Sequence, residues 1–114
     1  MDVWDQLRYF VRAEFRHPDR MSEALLLKLD EVRHQAGVAI RITSDFRPGD
    51  GGAHGRGMAV DIAAADGING RWRFLVLRAA LAEGFCRVGV YDSHLHLDVD
   101  EQLAQDVAWW GISR

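Results

Sequence analysis

The chain has little of what usually staples or anchors a small protein. It carries one cysteine, Cys86, among 114 residues, which excludes an internal disulfide and any zinc site built on paired thiolates. Cys86 itself is expected to be a small buried hydrophobe in a strand. No run approaches the roughly 20 apolar residues that a membrane helix requires. Neither sign of charge is in excess. A net charge of −3, from 14 basic and 17 acidic residues, offers no footprint for nucleic acid or an anionic membrane. The opening Met1-Asp2-Val3-Trp4-Asp5 has no basic or apolar leader region, so no signal peptide is visible, and a protein that is cytoplasmic or released by a route other than ordinary secretion is expected. There are no repeats, no low-complexity tract and no linker.

With 48% hydrophobic residues, the chain has the composition of one globular domain, residues 1–114, large enough for its own core. Trp4, Leu7 and Val11 at helical spacing predict a helix from Asp2 to about Phe15. His17-Pro18-Asp19 ends it. Ser22 then caps a second helix carrying the stripe Leu25, Leu26, Leu29 and Val32, and Gly37 stops it. Val38 to Thr43 alternates like a strand. A third helix is expected from about Asn69 to Glu83, with Phe74, Leu77 and Leu81 buried and Arg71 and Arg73 solvated. Cys86–Tyr91 and His94–Val99 read as strands joined by a turn at Asp92-Ser93. Asp100 would cap a last helix, Glu101 to about Trp109, with Trp109 and Trp110 closing the core beneath it, the alternative being a substrate-binding lip. The fold class is α+β: a small, mainly antiparallel sheet with helices packed around it.

The stretch Asp92-Ser93-His94-Leu95-His96-Leu97-Asp98 carries chemistry. Side chains alternate along a strand, so His94, His96 and Asp98 share one face while Leu95 and Leu97 share the other. Same-face positions drawn only from Asp and His read as the wall of a metal site. They cannot all reach one ion, because Asp92 and Asp98 lie roughly 20 Å apart along a strand. Upstream, Met58, Val60 and Ile62 alternate with Ala59, Asp61 and Ala63, a short strand with one carboxylate among small residues. A carboxylate inside a strand needs a partner or a metal. Gly55 and Gly57 let His54 fold back toward Asp61. Two histidines and one aspartate would leave a zinc ion one open position, the pattern of catalytic sites. His17 and His34 are expected to be surface or packing histidines.

In these residues the chain resembles the zinc cell-wall peptidases: D-alanyl-D-alanine carboxypeptidases and dipeptidases, L-alanyl-D-glutamate endopeptidases of phage lysins, and the fold-related hedgehog signalling domain. The likeness covers roughly residues 10 to 100. It runs through Ile42-Thr43-Ser44-Asp45-Phe46-Arg47, then His54, Gly57, Ala59 and Asp61, then His94-Leu95-His96. The resemblance implies Zn2+ held by His54, Asp61 and His96, with Arg47 orienting substrate or steadying the carbonyl oxygen. It implies a hedgehog-like fold and a peptidase acting on peptidoglycan stem peptides; nucleic acid and membrane partners are not expected, given the charge balance. A monomeric phage lysis enzyme fits the small size. The chain departs from the pattern twice. Ser93 stands three residues before the last ligand, where many relatives carry the catalytic carboxylate, and Gly52 stands where relatives often carry serine. The expected general base is therefore Asp92, aimed by the hairpin turn, with His94 second. Asp98 is expected to orient a metal-bound histidine from behind. The alternative is a non-catalytic zinc-bearing binding module of the same fold.

Overall fold

Ser22 and Gly37 bracket the longest helix, α2 (Glu23–Ala36). The Ser22 hydroxyl accepts from the Leu25 N–H, and Gly37 terminates the helix at φ 69°, a left-handed conformation that glycine adopts without strain. The computed structural model describes residues 2–112. Before α2 come a one-turn helix, α1 (Val3–Gln6), and two short 3-10 turns; after it come β1 (Arg41–Ser44), β2 (Ala59–Ala63), α3 (Gly70–Ala82), β3 (Arg87–Tyr91), β4 (Leu95–Asp98) and β5 (Val107–Gly111). The five strands form one sheet in the order β1-β2-β4-β3-β5. Every neighbouring pair is antiparallel except β3 and β5, which run parallel. The expected α+β class and mainly antiparallel sheet are observed.

Helices α2 and α3 supply the apolar layer on one face of the sheet. Leu25, Leu29, Val32 and Val76 join Val60, Ile62, Leu95 and Leu97 in one core, each fully buried. Removing such a side chain from water contributes about 1.5–3 kcal/mol. The other face of the neighbouring strands β2 and β4 is buried too, and that face carries Asp61, His96 and Asp98.

Five expectations about elements are corrected. The first helix stops at Gln6 instead of reaching Phe15, and Val11 is exposed. The buried carboxylate of Asp30 explains this. It accepts the backbone N–H groups of Arg8 and Tyr9 at 2.9–3.2 Å, drawing the chain out of helical pairing. The last helix does not form. The Asp100 carboxylate accepts from Gln102 N–H to close a turn, Asp106 adopts φ 59°, and Val107–Gly111 pairs with β3 as an edge strand. On α3 the buried residues are Trp72, Val76, Ala79 and Ala80, whereas Phe74 and Leu81 are exposed. Arg73 is half-buried and donates to the Tyr91 carbonyl at 3.2 Å, while Arg71 is exposed. Cys86 precedes β3 and is exposed, not buried. The first strand begins at Arg41 rather than Val38, although Ile40 just before it is buried.

Candidate metal centre

Strand register builds most of the site. Asp61 of β2 stands directly opposite His96 of β4, with Ser44 of β1 beyond Asp61. Gly89 of β3 stands opposite His96 on its other side, and Trp109 of β5 opposite Gly89. One row across the sheet thus reads Ser44, Asp61, His96, Gly89, Trp109, all on the face away from the helices.

His54 enters from outside the sheet, on the 3-10 turn Ala53–Arg56. Two glycines make that turn possible. A Cβ at Gly55 would lie 1.6 Å from the Asp50 carbonyl oxygen, and one at Gly57 (φ 71°) 1.9 Å from that of Arg20. Arg56 holds the turn to the sheet through an ion pair with the fully buried Asp100 carboxylate.

The three predicted ligands converge. His54 Nε2 and His96 Nδ1 each lie 3.2 Å from the same oxygen, Asp61 Oδ1, and all three residues are buried. The other ring nitrogens decide what this means. His54 Nδ1 is 2.8 Å from the Asp45 carbonyl, which only accepts, so Nδ1 carries the proton. His96 Nε2 donates to Asp98 Oδ2 at 2.6 Å. Each remaining nitrogen therefore directs a lone pair at a carboxylate oxygen unless a proton or a cation lies between. One cation at that point satisfies all three donors, and these atoms, within 4.8 Å of one another, could hold a metal ion. The arrangement is a carboxylate behind one ligand histidine and a carbonyl behind the other, which fixes both tautomers.

The electrostatics agree. Burial opposes the charged form of Asp61, but hydrogen bonds with His54 and His96 overcome it and hold the carboxyl far below its usual range. Burial likewise opposes the charged form of His96. The bonds to Asp61 and Asp98 outweigh it and raise the imidazole above its usual value. Asp98 is lowered: burial is outweighed by the bonds from His96 and from the Asp100 N–H, with Arg87 adding its charge.

The cluster opens onto a cleft of about 610 Å³. Arg47 lines it. Its Nη2 donates to Asp61 Oδ2 at 2.9 Å and its Nε to Ser44 Oγ at 3.2 Å, so the guanidinium anchors the ligand carboxylate while remaining half exposed. His94 also lines the cleft, with Nε2 3.8 Å from Asp61 Oδ1. Asp92 is exposed and is not among the lining residues; the turn at Asp92-Ser93 brings Ser93 and His94 to the cleft instead. His17 and His34 lie elsewhere: His17 donates its backbone N–H to Asp45 at 2.8 Å, and His34 Nδ1 is 2.7 Å from the hydroxyl of Tyr9.

Three contributors were not anticipated: Asp45 behind His54, and Arg87 and Tyr91 around the two strand histidines. Trp109 lines the cleft and lies against His96, whereas Trp110 is 77% exposed, so the pair does not close the core. Alternation along Arg87-Val88-Gly89-Val90-Tyr91 carried a signal for two of them, since Arg87 and Tyr91 share the polar face. Compared with models of known protein families and with curated proteins, the chain matches none.

Proposed function

We propose that the chain is a zinc-dependent peptidase of hedgehog-like fold that hydrolyses the peptide stems or cross-links of bacterial peptidoglycan, acting as a monomeric lysis enzyme of phage type. The observation that carries this reading is the convergence of His54, Asp61 and His96 at the floor of an open cleft. Two imidazoles and one carboxylate suit zinc, and three protein ligands beside a cleft is the catalytic pattern. Zinc held there supplies a Lewis acid and lowers the pKa of water to about 7.

The chain's own residues do the rest. His94 is the proton acceptor in this reading: it lines the cleft, and burial leads the effects that lower its pKa, so the ring is neutral near pH 7 and able to accept a proton. It takes the proton of the attacking water and returns it to the leaving amine. The carboxylates lining the cleft are otherwise engaged. Asp61 and Asp98 face the ligand histidines, and Asp50, lowered first by the Gly52 N–H, is a weak base. Arg47 holds Asp61 Oδ2 and turns its exposed edge to the developing oxyanion or to a stem-peptide carboxylate. A second reading is a zinc-bearing binding module without turnover, because Ser93 stands three residues before His96, where the resemblance places a catalytic carboxylate.

Digestion of purified peptidoglycan with and without chelator, with the new ends identified by mass spectrometry, separates the two. Chelator-sensitive release of new amino termini, lost in His94→Ala, supports the peptidase. Zinc binding with no released ends supports the binding module.

A further inference from the structure

Strands β3 and β5 exchange glycine for aromatic. In their parallel register Gly89 faces Trp109, and Tyr91 faces Gly111. Each ring lies over the partner strand's glycine. A Cβ at Gly89 would sit 2.6–2.9 Å from three indole atoms of Trp109, and one at Gly111 2.2–2.9 Å from three ring atoms of Tyr91. Real Cβ atoms do not approach that closely, so neither glycine can gain a side chain while the rings stay put. The two rings are then joined: Trp109 Nε1–H donates to the Tyr91 hydroxyl at 3.0 Å.

This pair touches both histidines of β4. The Tyr91 ring stacks on His94 with centroids 4.4 Å apart and planes 10° apart. The Trp109 ring meets His96 at 5.1 Å. The Arg87 guanidinium lies 5.1 Å from the Trp109 ring centroid and also donates to Asp98 Oδ1 at 2.8 Å, the carboxylate that holds His96. All of the outward-facing positions of β3 (Arg87, Gly89 and Tyr91) thus serve the two imidazoles.

We propose that Tyr91 and Trp109 are positioning residues, a hydrogen-bonded aromatic brace that fixes the rings of His94 and His96 and that exists only because Gly89 and Gly111 leave room for it. The inference rests on reading His96 as a metal ligand and His94 as the proton acceptor. Neither aromatic is assigned a reacting role.

The test is a pair of mutant cycles with two readouts. In the metal-free protein, histidine ring carbon–proton NMR signals report the surroundings of His94 and His96. In the zinc-loaded protein, competition with a chromophoric chelator reports affinity. Gly89→Ala adds no functional group, yet it should displace the His94 and His96 signals and weaken zinc about tenfold, in the range found when support behind a ligand is lost. In a Trp109→Ala background the same Gly89→Ala change should have no further effect, because the clash is gone. Tyr91→Phe and Trp109→Phe should each shift the His94 signal, and the double variant should do little more than either, since one hydrogen bond is lost in all three. Unchanged ring signals in Gly89→Ala and Trp109→Phe, or additive effects across both cycles, would overturn the proposal. If the wild-type protein binds no zinc, the metal reading falls while the ring signals still decide the brace.

Discussion

Strands β2 and β4 have two faces built on opposite principles. Toward the helices they present Val60, Ile62, Leu95 and Leu97, none with any exposure. Toward the cleft they present Asp61, His96 and Asp98, scarcely more exposed. The same backbone, the same register and nearly the same burial support an apolar core on one side and a charged cluster on the other. The difference lies in what offsets desolvation. The apolar face gains by leaving water. The polar face must find a partner for every lone pair and proton, and around Asp61 Oδ1 two imidazole nitrogens point at one oxygen. A proton or a cation between them resolves that conflict, and His54, Asp61 and His96 could hold a metal ion.

Breaking the polar face should remove function and leave the fold. His96→Ala, or Asp61→Asn, should abolish zinc binding and chelator-sensitive hydrolysis with the far-UV circular dichroism unchanged; retained stoichiometric zinc would contradict the ligand assignment. Breaking the apolar face should do the reverse. Leu97→Ala, one residue away, should cost about 2–5 kcal/mol of stability by denaturant melting. The folded fraction should bind zinc as before. Coupling of the two effects would mean that the faces are not independent.

A milder cut tests the support behind a ligand. Asp98→Asn keeps the shape but weakens the acceptor behind His96, and should reduce zinc affinity about 10–100-fold in a chelator competition. Gly89→Ala acts on the same ligand from the other side and should have the smaller effect.

The smallest effect is in pH dependence. The metal-free His96 has its pKa raised above the usual 6.5, so its contribution to stability is full at low pH and fades as pH rises through the raised value. Asp61, lowered from 3.8, contributes above the unfolded value and loses that contribution only as pH falls well below it. The metal-free protein should therefore lose a little thermal stability as pH rises above about 6.5. Zinc affinity should rise over the same interval, because the metal and a proton compete for His96. A metal-free melting temperature that climbs steadily through neutrality would contradict the bonding drawn here.

How much of this the sequence carries follows from the same contrast. The two faces of β2 and β4 were legible because a strand alternates with period two, and His94, His96, Asp98 and Asp61 fall on one parity. The hairpin at Asp92-Ser93 and the capped α2 were legible from local turn and cap chemistry. The N-terminal segment was not, because Asp30, 22 residues away from Arg8, takes up its backbone donors. Strand β5 was not, because Trp109 and Trp110 fit either period and the choice rests on pairing with the distant β3. The exposed faces of Phe74 and Leu81 show helical spacing overridden by the placement of Trp72 and Val76 against the sheet. The brace of Tyr91 and Trp109 depended on the register of two strands and two missing Cβ atoms.

The most direct test is anomalous diffraction at the zinc absorption edge from crystals grown with zinc. One strong peak is expected within bonding distance of His54 Nε2, Asp61 Oδ1 and His96 Nδ1, facing the cleft with no fourth protein ligand. A peak elsewhere, none at all, or a fourth side chain closing the coordination shell would contradict the ligand assignment.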